Sequence, residues 1–156
     1  LNHLKTLKMR YIRKESLTRI LSVDYGSKRI GIAISDLLKI IAKPYKTINN
    51  QNNEQVLEAI KKMVENKKVS KIVVGLPLTL KGQHSEQTLL TLKFVDFLKT
   101  NINIDVETYD ERLSSIQAKR SLVMQGVKTG HNKGAVDQTA AALFLQGYLD
   151  GLSARL

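Results

Sequence analysis

From Arg19 the chain reads RILSVDY, then Gly26-Ser27-Lys28, then RIGIAIS. Two apolar, β-branched runs joined by a short glycine-containing turn form an antiparallel hairpin. The first run ends in a carboxylate, Asp24. This constrains the fold more than any other feature, because a hairpin with an apolar face needs further strands or helices to cover it. The sequence supplies them in order. A third extended piece spans Tyr45 to Ile48 after Pro44, and Val56, Leu57, Ile60, Met63 and Val64 then follow at helical spacing. SKIVVGLP is a short apolar strand ending at Gly75 and Pro77, of the kind buried on both faces of a mixed sheet. After the polar loop LTLKGQHS, the segment EQTLLTLKFVDFLKT carries the broad apolar stripe of a helix packed on a sheet. IDVETYDER is a strand running into acids.

The remainder is helical. SSIQAKRSLVMQG predicts a helix with a capping box of Ser114 and Gln117, stopped by Gly126. VKTGHNKG, residues 127–134, lacks any period and is expected to be among the least ordered internal segments. AVDQTAAALFLQGYLDGL is a helix rich in alanine, whose small side chains permit close approach to the sheet. The order predicts an α/β fold, a central mixed β-sheet flanked by α-helices with Asp24 on a middle strand.

Composition narrows the chemistry. The 156 residues contain no cysteine, which excludes disulfides and thiolate metal sites and suits a reducing cytoplasm. No apolar run approaches the ~20 residues that span a bilayer, so no membrane association is expected. The formal charge is +11, and Lys5, Lys8, Arg10, Arg13, Lys14 and Arg19 oppose only Glu15 in the first nineteen residues. Residues 1–18 read as a basic N-terminal extension and residues 19–156 as the folded domain. A positive balance spread over extension and body favours polyanionic partners, because neutralising phosphates releases counterions.

Asp24, Asp110, Glu111 and Asp137 all fall at ends of expected elements. If the first strand is central, a later parallel strand ends at the same edge as Asp24, and a helix crossing behind delivers Asp137 to that edge. Carboxylates converging there need cations to offset their repulsion, and hard oxygen ligands select Mg2+ or Mn2+. Plainer roles exist for each: Asp24 as a strand-end turn residue, Asp110 and Glu111 as helix caps, and Asp137 as an acid in a first helical turn. Lys28, Arg29, Arg112 and Lys133 lie close in sequence to these acids and suit either phosphate binding or charge balance. His84 and His131 read as exposed loop residues.

ILSVDYGSKRIGIAISD, from Ile20 to Asp36, resembles the YqgF family, also called RuvX, the family of Holliday junction resolvases and ribosomal RNA precursor nucleases. IVVGLPLTLKGQHSEQ, YDERLSS, and Lys133 with VDQTAAALFLQGYLD match that family in order and spacing, so the resemblance covers Arg19 to Leu149. It implies an RNase H-like fold, with Asp24, Glu111 and Asp137 as the acidic triad that is both catalytic and metal-binding, Asp110 being the alternative to Glu111. It also implies an endonuclease that hydrolyses phosphodiesters of structured nucleic acid, trimming the 5' end of pre-16S rRNA or cutting branched DNA. The chain departs from the family pattern at Thr79, Lys81 and Ser114-Ser115, in a loop and a cap. Two other classes stay open beside it: a nucleic-acid-binding module without catalysis, and a phosphotransferase, since DYGSKRIG also resembles the phosphate-contacting hairpin of the actin and sugar-kinase group. The second lacks a second lobe in a chain of this length. Monomer and homodimer both remain compatible with the sequence.

Overall fold

The computed structural model describes residues 3–4, 17–114, 116–126 and 133–155, the side chains at 117 and 133–135 excepted. Among the described residues five strands form one mixed sheet: β1 (Arg19–Tyr25), β2 (Arg29–Ser35), β3 (Ala42–Asn49), β4 (Val69–Leu76) and β5 (Asp105–Asp110). Their spatial order is β3-β2-β1-β4-β5, with β1 antiparallel to β2 and parallel to β4, and β4 parallel to β5. The expected mixed sheet with Asp24 on its middle strand is present. The helices are α1 (Asn53–Asn66), α2 (Glu86–Asn101), α3 (Ile116–Met124) and α4 (Lys133–Ala154). A single 3-10 turn, Glu111–Leu113, follows β5.

Period-two alternation sorts the central strands into two faces. Leu21 and Val23 of β1, Ile30 and Ile32 of β2, and Ile72 and Val74 of β4 join Val56 and Ile60 of α1 and Phe94 and Leu98 of α2 in one core. Ile20, Ala33 and Val73 turn to the other face and pack on Ala141, Ala142, Phe144 and Leu145 of α4. Asp24 shares the parity of Ile20, so it faces α4. Ser22, between them, donates its hydroxyl to the Ala141 carbonyl at 2.9 Å, tying the centre of the sheet to the middle of the helix.

Local signals explain the helix boundaries. Asn52 caps α1 by accepting from the backbone N–H groups of Glu54 and Gln55, and Ser85 with Thr88 forms a capping box at the start of α2. Gly126, at φ +76, closes the turn after α3 as expected of a C-terminal glycine. Three boundaries differ from the sequence reading. Strand β3 begins at Ala42 and runs through Pro44, which is tolerated because β3 is an edge strand with a register irregularity opposite Ile32 and Ala33. Helix α4 begins at Lys133, so Asp137 lies beyond its first turn, where the helix-dipole role no longer applies. Most of the expected mobile segment, residues 127–132, and the Ser114–Gln117 capping box lie outside the described residues and side chains.

Helix α4 lies so close to the sheet that a Cβ on Gly31 would meet the Asp137 carbonyl oxygen at 2.2 Å. Gly31→Ala must therefore push the start of α4 outward, and the expected cost is roughly 1–3 kcal/mol, the usual range for overpacking. Gly151 has open space around it within the same helix, so Gly151→Ala should stabilise by roughly 0.5–1 kcal/mol. Urea unfolding of the two variants should move in opposite directions. Equal midpoints would show that the contact at Gly31 is not a tight one.

Candidate active site

The site sits where β1 and β5 end. Asp24 is the penultimate residue of β1, with Gly31 of β2 opposite it. On the other side Val23 pairs with Val74, bringing Gly75 of β4 alongside Asp24 one step later. Two glycines thus flank the acid on the face that meets α4, and each clears room for a neighbour. A Cβ on Gly31 would strike the backbone of Asp137, and one on Gly75 would lie 2.7 Å from a Glu111 carboxylate oxygen and 2.6 Å from the Phe144 ring. Sequence reasoning took Gly75 only as the end of a strand and gave Gly31 no role. A lone glycine inside a strand was the available signal, since it marks close approach of another backbone or side chain.

The surrounding structure holds this end of β1 firmly. Tyr25 stacks on Phe94 with ring centroids 4.5 Å apart, and the Gln87 side-chain amide donates to the Tyr25 carbonyl at 2.9 Å. Glu111 arrives on the 3-10 turn after β5, which Asp110 caps by accepting the Arg112 N–H at 3.0 Å.

Electrostatics separates the four acids into two kinds. Asp24 is pushed up to about 6 from an ordinary 3.8, chiefly by withdrawal from water and then by repulsion from Asp137. Glu111 is pushed up to about 7 from 4.5, again by burial first, then by the charges of Asp24 and Asp110. Asp110 is the reverse: a forked pair with Arg112, closest at 2.7 Å, holds it below the usual carboxylate range. Asp137 is bound by Arg29 at 2.9 Å.

Of the residues singled out in the sequence, Asp24, Glu111 and Asp137 share one neighbourhood: Asp137 raises Asp24, and Asp24 raises Glu111. Among the described residues no group of three or more acids or histidines is arranged to hold a metal ion. Arg29 and Arg112 face acids of the chain itself at the hydrogen-bond distances above. Lys28 is exposed in the β1–β2 turn, Lys133 opens α4 with its side chain outside the description, and His84 is exposed.

The donor set still fits a hard divalent cation. Asp24 and Glu111 offer only oxygen, and each is raised by burial and by another acid, a penalty that a bound cation would relieve.

Residues 18–151 match the family model described as RuvX: Holliday junction resolvase. The chain belongs to the RuvX family. A relative from Chloroflexus aggregans, bearing the name "Putative pre-16S rRNA nuclease", is 44% identical over 131 residues, covering 84% of this chain and 92% of the relative. One from Clostridioides difficile with the same name is 41% identical over 132 residues, covering 85% and 94%. Among solved structures, Thermus thermophilus RuvC superposes with a TM-score of 0.59 at 9% identity, covering 88% of this RuvX chain and 97% of RuvC. The yeast mitochondrial Holliday junction resolvase Ydc2 gives 0.52 at 10% identity, covering 91% and 84%. At such identities the likeness speaks to the fold, which is RNase H-like in this RuvX chain as in those resolvases.

The raised carboxyls carry a pH signature in the metal-free protein. A raised acid weakens the fold when ionised, so the penalty is full above about pH 7, fades as the pH falls through about 7 and 6, and vanishes below the unfolded values of 4.5 and 3.8. In a chelator, Asp24→Asn should be more stable than the parent at pH 8 by on the order of 1–3 kcal/mol, with the difference lost by about pH 4. Parallel denaturant titrations check this; a difference that does not depend on pH would refute the electrostatic account.

Proposed function

We propose that this RuvX-family chain is a divalent-metal-dependent endonuclease that hydrolyses phosphodiesters of structured nucleic acid, trimming the 5' end of pre-16S rRNA. The observation that carries this is the pair Asp24 and Glu111: two raised acids set side by side at the sheet edge, in a chain with a surplus of positive charge. Carboxyls raised by burial and by one another cluster at functional sites, where their repulsion is relieved by what they bind. The names of the relatives from Chloroflexus aggregans and Clostridioides difficile support the RNA substrate.

In this reading Asp24, Glu111 and Asp137 hold Mg2+ or Mn2+. What such an ion supplies when bound is a more acidic attacking water and relief of charge on the departing oxygen. The chain's own residues do the rest. Asp24 is set by the backbone of the central strand, and its glycine neighbours let the Asp137 backbone and the Glu111 carboxylate come close to it. Glu111, raised to about 7 in the metal-free protein, gives up its proton to hold a cation, so metal binding strengthens as the pH rises through that value. Arg29 can shift between Asp137 and a substrate phosphate, because the pair is only partly buried. Lys28 and Lys133, at the same end of the fold, add phosphate contacts. Residues 19–156 constitute the nuclease domain, and the basic extension of residues 1–18 adds non-specific affinity. Among the described residues no helix is long and apolar enough to cross a membrane, and we place the protein in the cytoplasm, where precursor RNA is processed.

The family description favours a second substrate, the Holliday junction. Both are polyanions with helix ends, and direct competition separates them. Asp24→Asn should reduce cleavage of precursor RNA in Mg2+ or Mn2+ below detection while leaving RNA binding intact. Binding by both proteins should weaken on the order of 10³-fold between about 50 and 200 mM salt if ~6 phosphates are contacted. Cleavage by the variant at the parental rate refutes the site. Faster cutting of a four-way DNA junction than of the RNA transfers the function to the resolvase reading. RNA binding with no cleavage by either protein supports the module without catalysis.

A further inference from the structure

The segment between β4 and α2 was expected to be an ordinary polar loop, but it is a braced miniature hairpin. Leu78 and His84 form an antiparallel bridge, and the Thr79 N–H donates to the Gln83 carbonyl at 3.0 Å. Gly82, at φ +77, donates its N–H to the Thr79 carbonyl at 2.8 Å, and the Thr79 hydroxyl accepts the Gln83 N–H at 2.9 Å. Arg112 closes the brace from the catalytic side. Its guanidinium lies where a Cβ on Gly82 would be 3.3 Å away, donates to the Leu80 carbonyl at 3.4 Å, and is locked on Asp110, the residue before Glu111. The hairpin and the 3-10 turn that carries Glu111 are therefore tied to the same arginine.

At the tip of this hairpin stands Leu80, 96% exposed. A lone leucine in water needs no explanation on a floppy loop. This one is held outward by a hydrogen-bonded turn, beside exposed Lys81 and at the rim of the acidic site. A rigid apolar tip next to a cation matches the way proteins prise apart base steps: the apolar group takes the face of an unstacked base while the cation meets the adjoining phosphate.

We propose that Leu80 is a wedge that docks against the base at the end of a helix in the substrate, where duplex meets single strand or strand exchange, and that Lys81 holds the neighbouring phosphate. This rests on the nuclease reading and deepens it, because it assigns the site a preference for helix ends over continuous duplex.

The probes are an RNA hairpin with a 5' single-stranded tail and a four-way DNA junction, each carrying 2-aminopurine at the last base step of a helix, whose fluorescence rises on unstacking. Binding is measured in the Asp24→Asn background so that neither probe is cut. That protein should raise the fluorescence of the probe it binds, and a rise on one probe alone supports the wedge while identifying its source as RNA or DNA. Adding Leu80→Ser should remove the rise and weaken binding about threefold to tenfold, with affinity for continuous duplex unchanged. Leu80→Met should restore both signals, which a merely structural role would not explain. Unchanged fluorescence and affinity in Leu80→Ser overturn the wedge, and cleavage by the unsubstituted protein then leaves the nuclease reading standing. Absence of both binding and cleavage by the unsubstituted protein overturns wedge and nuclease together.

Discussion

Helix α4 meets the sheet where the side chains are smallest. Ala33 and Ser22 on the strands meet Ala141 and Ala142 on the helix, Gly31 meets the Asp137 backbone and Gly75 the Phe144 ring, and the Ser22 hydroxyl is bonded directly to a helix carbonyl. Interiors are packed nearly as tightly as crystals, so the distance between layers is set by the side chains between them. Larger residues in this row would lift the helix. Asp137 would then leave the neighbourhood of Asp24, and the Phe144 ring would no longer press on Gly75 beside Glu111. The carboxylate cluster is thus a consequence of how closely one helix can lie on one sheet.

That closeness creates an electrostatic problem which the fold resolves unevenly. Of four acids near the edge, Asp137 and Asp110 each receive an arginine, at 2.9 and 2.7 Å. Asp24 and Glu111 instead carry the combined effects of burial and repulsion. Buried like charges are a local source of instability, and such strain collects where a site must bind something of opposite sign. The arginines prevent the outer acids from adding their full repulsion to the inner pair, while leaving the inner pair available. Asp110 consequently serves to organise the 3-10 turn, and Glu111 is the acid that faces Asp24.

Arg112 joins two parts of the molecule that are far apart in sequence. Through Asp110 it orders the turn that carries Glu111, and through Gly82 and the Leu80 carbonyl it supports the hairpin beside the site. Arginine suits this because its planar fork makes several fixed hydrogen bonds at once, which lysine cannot do. The position of the hairpin is therefore coupled to the position of an acid.

The alternation in RILSVDY and RIGIAIS and the 3.6-residue stripes of α1 and α2 are local patterns, and they were enough to read the strands, their succession along the chain and an acid on a middle one. Glu111 and Asp137 were legible as acids at element ends that a parallel strand and a crossing helix would bring to Asp24, and the resemblance to RuvX singled them out as a triad, with Asp110 as the alternative to Glu111. What the sequence left undecided involves partners distant along the chain. Arg29 reaches Asp137 across 108 positions, and the crossing of α4 behind the sheet gives Gly31 and Gly75 their purpose. Pro44 sits inside a strand because that strand is an edge, and α4 starts before its apolar pattern does. Side-chain period encodes which face of an element is apolar. Which acids face one another, and which of them receives an arginine, is decided only when the layers close to their packing distance.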